Sequence, residues 1–570
     1  MNAPTPALVA RPERLRLVGQ RRKLLALMHQ RLMIGMLAFG AIVFIIVLRL
    51  AWLAAFGDHA GRRGGIGTAG PDRADIVDRD GIALARTIDA WTIGLQPKKV
   101  IGDKLELAQK LAELMPEKDA AAYHAMLVSN RSFYFLRRRA EPQLVERINA
   151  LGEPGLQLQR EPDRLYPQTS LAAHVLGFTD IDGKGTGGVE RSFEERLSDP
   201  AERNSPLVLS ISSRVQQALQ NELQAAMDHF SAIGAAGVIM DVHTSEILAM
   251  TSLPTFNPNV AGQAPADARF NRATLGVYEL GSTFKPFTVA MSMDSGLIKS
   301  MGQTYSCPHE LNIYGQTVHD THPFGRMCSV AEIMKESSNI GTALIADQLG
   351  TERQKSFLKK MHFLEKVKVE LPERGRTLTP GSRWGPFETV TVGFGHGIAV
   401  SPLHLANGYA TLFNGGVYHP STILKVDKNH AAAKGERVFT EETSYKMRAL
   451  LRLVVVEGTG KKADAPGYRI GGKTGTAEKL IGGRYSSAAV VTTFAGVFPM
   501  DEPRYVIVVM LDDPKATKET YGFHTAGWNV APVVSKTVAR IAPMLGVRPD
   551  LKREPDMGSV LPFVHEKEGH

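Results

Sequence analysis

The sequence predicts an α+β protein with a single transmembrane helix, an N-terminal module without catalytic clusters, and a C-terminal domain whose antiparallel sheet is covered by helices. Three observations lead there. A long charge-free apolar run lies near the N-terminus. Strand-like runs stand at both ends of the C-terminal part with helical text between them. Of 570 residues, 43% are hydrophobic and 22% charged, an ordinary globular composition with enough chain for more than one domain.

The formal charge of +9 does not mark a nucleic-acid binder, because the excess is concentrated at one end. Residues 1–31 carry Arg11, Arg14, Arg16, Arg21, Arg22, Lys23 and Arg31 against Glu13 alone. Leu32 to Leu48 is a run of 17 uncharged residues, and after Arg49 the apolar character resumes to Phe56. About 20 helical residues cross the hydrocarbon core, so 32–56 suffices as an anchor, with Arg49 reaching towards the far headgroups. A cleaved signal peptide has an apolar stretch of roughly 7–15 residues, shorter than this one. The basic flank precedes the span, so the positive-inside rule leaves 1–31 as a cytoplasmic tail and sends everything after Phe56 outside. The Gly-rich run 57–73 follows as a flexible linker.

Residues 74–206 mix β-like runs (91–96, 132–138) with helical text (105–115) and form a non-catalytic α+β module. The C-terminal domain spans 207–546. It opens on a strand feeding an amphipathic helix, then two β-runs, 237–242 and 246–252, around the polar turn His243-Thr244-Ser245, which predict a hairpin. Helical text is expected from there to about 365. Strands return at 488–498 and 504–511, both apolar enough for a central sheet, and Pro532 opens a last helix. Residues 547–570 are expected to be a loose tail. The two cysteines, Cys307 and Cys328, lie in the exported part, either as a disulfide or as two buried thiols.

Ser282-Thr283-Phe284-Lys285 is an S-x-x-K tetrad, whose hydroxyl and amine share one helix face. Proline is tolerated only in the first helical turn, so Pro286 predicts a helix starting near Ser282, and Gly281 allows a tight turn before it. Ser356-Phe357-Leu358-Lys359 matches the same tetrad, so the pattern alone carries little. Ser337-Ser338-Asn339 sets a hydroxyl and an amide on a turn after a helix. Gly471-Gly472-Lys473-Thr474-Gly475-Thr476, read as a strand, sends Lys473 to one face and Thr474 with Thr476 to the other, and Gly475 leaves room for a substrate backbone. Gly467 to Thr474 also spells a phosphate-binding G-x-x-x-x-G-K-T, but it lies outside the membrane and leads into a strand rather than a helix.

In the order S-x-x-K, S-x-N, K-T-G, these elements resemble the penicillin-binding and serine β-lactamase superfamily. The resemblance runs on through Arg73 to Gly81, Arg164-Leu-Tyr-Pro167, His174 to Gly177 and Gly188-Val-Glu190, which look like the pedestal (dimerisation-like) module of class B penicillin-binding proteins, here 74–206. Tyr278 to Pro286, Gly393 to Gly397 and Glu457 to Gly460 are similar to their transpeptidase domain. Leu280 departs from the family's usual proline. Ser337-Ser338-Asn339 and Thr474 look like the septal, cell-division subtype, with an elongation-type transpeptidase as the alternative.

The resemblance implies acyl transfer from a stem peptide ending in D-Ala-D-Ala. Ser282 would be the nucleophile and Lys285 its base, neutral only if burial and Lys473 lower its pKa. Ser337 would relay a proton, Asn339 hold the substrate amide, and Lys473 supply positive potential and orient Ser337. Thr474, Gly475 and Thr476 would bind substrate, the two threonines taking its carboxylate. The backbone N–H groups of Ser282 and Thr476 would form the oxyanion hole. No metal or organic cofactor is needed. Implied partners are lipid-linked peptidoglycan stem peptides, β-lactam antibiotics, the membrane, a polytopic glycosyltransferase and other division proteins, with the catalytic domain periplasmic on the inner membrane. A D,D-carboxypeptidase or β-lactamase would use the same serine. Class A β-lactamases need a glutamate four residues before an asparagine between the last two motifs. Here those positions, before Asn407, Asn414 and Asn429, are Leu403, Ala410 and Lys425.

Overall fold

The structure, a computed structural model, describes residues 28, 30–49, 73–426 and 435–565. Most of the tail 1–31, the end of the expected anchor (50–56) and the linker up to residue 72 lie outside them. The helix Gln30–Arg49 has 20 residues, about 30 Å at 1.5 Å per residue, and exposes its apolar side chains throughout. It fits a single-pass membrane anchor.

Residue 73 onward is a separate unit, described by itself. Its first module is a sheet in which Ala83–Leu95 pairs antiparallel with Tyr134–Ala140 and with Leu156–Leu165. Helices Lys104–Leu114 and Ala120–Leu127 close a small core around Ile93, Leu107, Leu111, Tyr123 and Ile148. Asp103 starts the first of these helices by accepting from Leu105 N and Glu106 N, and Asp119 caps the second. The module is tied to the rest through Ile76–Val77, which runs parallel to Leu207–Val208. Ile76, Leu84, Tyr166, Val175 and Val189 belong to the same core as the C-terminal domain. Glu190 is fully buried at this joint. It accepts from Arg73 Nε at 2.6 Å and Arg164 Nε at 2.7 Å, so two buried guanidiniums converge on one carboxylate.

The C-terminal domain is built on a five-stranded antiparallel sheet in the order Gly471–Ile481, Arg484–Phe498, Tyr505–Asp512, Gly234–Asp241, Ile247–Leu253. The expected hairpin around His243 is its far edge. Both faces are covered, which is why Tyr505–Asp512 is buried at every residue and apolar without a break from Val506 to Leu511. Helices Ser213–His229 and Val530–Met544 cover one face through Leu219, Leu223, Val534 and Val538. Lys285–Asp294, Pro402–Phe413 and Glu441–Val456 cover the other, packing Phe287, Tyr409 and Leu450.

Two regions differ from expectation. Residues 304–329 are not helical but form two small sheets, Thr304–Cys307 with Arg326–Ser329 and Glu310–Ile313 with Gln316–His319. The inner hairpin turns on Tyr314 and Gly315, both at positive φ (52° and 76°). A tyrosine where Asn or Asp usually stands in such a turn hides the signal. The other region is the tail, which is tied down as far as residue 565. Buried Arg452 takes Glu554 at 2.7 Å, Val560 is fully buried, and Ser329 Oγ donates to Phe563 O at 2.7 Å. A buried guanidinium needs carboxylates wherever the chain can supply them.

Candidate active site

Gly281–Phe284 forms one 3-10 turn that leads into the helix Lys285–Asp294, with Pro286 in its first turn. Gly281 sits at φ 54°, and Thr283 Oγ1 closes the turn on Leu280 O at 2.8 Å. Below it, Gly395 at φ 86° is pressed so close that a Cβ there would lie 2.0 Å from Gly281 O. Phe284, Phe287, Phe363 and Tyr409 pack beneath in tilted and edge-on contacts, and Tyr409 donates to Thr283 O at 3.1 Å. The turn therefore rests on a rigid aromatic floor. Ser282 itself stays partly exposed, and among the described residues its hydroxyl has no hydrogen-bond partner.

The second motif occupies a corner between two helices. Val330–Glu336 begins with a capping box of Ser329 and Glu332 and ends on Ser337, which is left-handed (φ 62°) although not glycine. Ser338 is already the N-cap of Asn339–Leu349, accepting from Gly341 N at 2.9 Å. Asp320 meets this corner. One carboxylate oxygen accepts from Asn339 N at 2.5 Å and Ile340 N at 3.0 Å, the other from Ser338 Oγ at 2.6 Å.

Lys285 brings the first two motifs together. Its Nζ donates to Ser337 O at 2.5 Å and Asn339 Oδ1 at 2.8 Å, and lies 3.2 Å from Ser337 Oγ. Burial holds its pKa well below the ordinary lysine value, the Lys473 charge lowers it further, and Asp320 opposes the shift. A neutral amine has two N–H groups for the two carbonyl acceptors and one lone pair left to take a proton.

Gly471–Ile481 is the edge strand of the large sheet and runs against the serine turn. Lys473 is fully buried, donates to Thr474 O at 3.0 Å, and is pushed down to about 7 by burial. Its amine bonds to its own strand and not to Ser337. Thr474 Oγ1 is 2.7 Å from Thr459 Oγ1, and Thr476 Oγ1 accepts from Ala526 N at 3.0 Å. A Cβ on Gly475 would lie 2.4 Å from Leu280 O, so this glycine makes room for the serine turn. Thr459 has a signal in the sequence, the Glu457-Gly-Thr-Gly460 run. Asp320 has none.

The second tetrad is far simpler. Ser356 and Lys359 are exposed on the helix Thr351–Lys360, and no hydrogen bond among those described joins either to the other motifs. Beside the site, Glu279 accepts from Tyr485 Oη at 3.0 Å and from Gly397 N at 3.1 Å, joining the end of the sheet hairpin to the loop that carries His396. Phe387, Phe394, His396 and Tyr485 line a cavity there.

Residues 235–535 match the penicillin binding protein transpeptidase domain, and residues 68–201 match the penicillin-binding protein dimerisation domain. The first match alone spans more than half of the sequence. The chain belongs to the penicillin-binding-protein transpeptidase family. It is 37% identical over 530 residues to the probable peptidoglycan D,D-transpeptidase FtsI of Caulobacter vibrioides, covering 91% of this chain and 89% of that protein. It is 30% identical over 543 residues to the peptidoglycan D,D-transpeptidase FtsI of Escherichia coli, covering 90% of each. The crystal structure of penicillin binding protein 3 from Mycobacterium tuberculosis complexed with aztreonam superimposes with a TM-score of 0.67 at 27% identity, over 84% of this chain and 97% of that one. These three relatives align across both modules seen here, the small N-terminal one and the sheet domain.

Proposed function

We propose that this chain is a serine-type peptidoglycan D,D-transpeptidase of septal cell-wall synthesis, acting outside the membrane from a single-pass anchor whose N-terminus is cytoplasmic. The observation that carries the chemistry is Lys285, fully buried, its amine joined to both Ser337 and Asn339, one helical turn from Ser282. Ser282 Oγ attacks the carbonyl between the two terminal D-Ala residues while its proton passes to the neutral Lys285 amine. The N–H groups of Ser282 and Thr476 hold the developing oxyanion. Ser337 relays that proton from Lys285 to the departing D-Ala amine; an acceptor amine then takes the acyl group, and the proton it loses returns through the same groups to Ser282 Oγ. Asn339 orients the peptide amide, Thr474 and Thr476 bind the carboxylate, and Lys473 in its charged form supplies the positive potential. The names of the relatives and the basic N-terminal flank support the septal role and the orientation. The partners follow from the same reading: lipid-linked stem peptides, β-lactams, a polytopic glycosyltransferase and other division proteins.

Fluorescent penicillin should label the detergent-solubilised protein covalently. Ser282→Ala should abolish the label and Ser356→Ala should keep it. Without a carboxylate base for water, deacylation lacks the roughly 10²–10⁴-fold of general base catalysis, so the label should outlast removal of free drug. Labelling of Ser282→Ala, or label released within seconds from the wild type, would overturn this function. Depletion in cells separates the roles, since filaments indicate septation and rounding indicates elongation.

A further inference from the structure

We propose that Asp320 is a positioning residue of the acylation site, delivered to the Ser337 corner by the subdomain that the Cys307–Cys328 disulfide closes. The inference rests on the assignment of Ser282 and its partners above. Ser337 is held in a left-handed conformation between two helices, a state of higher energy that persists only where the surroundings over-determine it. Asp320 supplies much of that determination. It spans the first two N–H groups of the helix Asn339–Leu349 and the Ser338 hydroxyl, three hydrogen bonds from one carboxylate. The preceding residue completes the clamp, because Asn339 Nδ2 donates to His319 O at 3.0 Å. With its amide nitrogen tied there, Asn339 turns its oxygen to Lys285 Nζ. The backbone of Asn339 and the direction of its side chain are thus both set from residues 319 and 320.

The subdomain reaches the corner from two sides. Arg326–Ser329 runs directly into the helix that ends on Ser337, and Gln316–His319 ends directly before Asp320. Two isolated two-stranded sheets are marginal by themselves. The disulfide closes them, joining Cys307 to Cys328 across the base of this loop.

Asp320 also acts on charge. The groups that face Lys285 electrostatically are Lys473 from the edge strand, Asp320 from the subdomain, and His396 from the loop beneath the serine turn. Lys473 disfavours the Lys285 cation and Asp320 favours it. Removing the Asp320 charge therefore makes Lys285 neutral at lower pH.

The test is the rate of penicillin acylation of the full-length protein against pH, for Asp320→Asn and Asp320→Ala, with melting temperatures alongside. Asp320→Ala should acylate about 10- to 100-fold more slowly, as displacements of about 1 Å can cost, with the residual label still dependent on Ser282. Asp320→Asn keeps an acceptor for the two N–H groups and should retain most of the rate, but the rising limb of its pH profile should move to lower pH. An Asp320→Asn profile that coincides with the wild type would overturn the proposal, and so would an Asp320→Ala protein that folds and acylates at the wild-type rate. Should Asp320→Ala fail to fold, the Asp320→Asn profile decides. Failure of the Ser282 assignment would look different, as label surviving Ser282→Ala.

Discussion

Two lysines without solvent contact in one site are costly, and the cost shows where function outweighs stability. Lys473 has a folded pKa of about 7 against an ordinary 10.5. The folded protein is then the weaker proton binder, so stability rises with pH between about 7 and 10.5, and below that window the full penalty of about 5 kcal/mol remains. Lys473→Met should therefore raise the melting temperature at neutral pH, with a smaller gain at pH 10, and abolish acylation. A melting temperature that falls at pH 7 would contradict this account of the buried amine. In the proposed mechanism the depression serves Lys285, which must be neutral to accept a proton, and limits Lys473, which must be charged; acylation should therefore decline on the alkaline side as Lys473 loses its proton above about pH 7.

At the scale of elements, the site is the meeting of one 3-10 turn, one helix corner and one edge strand. Close approach needs glycines at the contacts: Gly475 against Leu280 O, and Gly395 against Gly281 O. The edge strand was legible because Lys473-Thr474-Gly475 precedes apolar runs that can only be central strands. The subdomain 304–329 was not legible, since its strands have four residues each and pair only locally. Here the disulfide adds to the packing of Cys307, Val318 and Cys328 into the main core. It closes a loop of 21 residues, worth about 3 kcal/mol in the chain-entropy model. The purified ectodomain should offer no alkylatable thiol until reduced, and replacing both cysteines by alanine should lower its denaturation midpoint by about that amount. Two reactive thiols in the unreduced folded protein would show the bridge to be absent.

Across the whole unit from residue 73, the N-terminal module keeps a small core of its own but joins the core of the sheet domain through Ile76, Leu84, Tyr166, Val175 and Val189, and Glu190 is the keystone of that joint. Its side chain is fully buried, and Arg73 and Arg164 are nearly so. Glu190→Ala would leave two buried guanidiniums facing each other without their shared carboxylate. The expected loss is about 3–5 kcal/mol, read as a lower denaturation midpoint. The acylation rate of the molecules that remain folded should not change, because the serine turn contacts none of these residues. A midpoint equal to the wild type would mean that Glu194, 2.9 Å from Arg73, suffices alone.

The sequence by itself determined the chemistry and the architecture. The three motifs in order, the apolar span with its basic flank, and apolar runs at both ends of the C-terminal domain are local or periodic features, and local physics reads them directly. Only the tertiary structure decided what depends on residues distant in the chain. Lys285 engages Ser337 and Asn339 from more than 50 positions away, Asp320 caps a helix that begins 19 residues later, and residues 554 to 565 return to tie Arg452 and Ser329. A lone aspartate or a polar tail carries no periodicity, so its partner becomes visible only once the chain has folded around it.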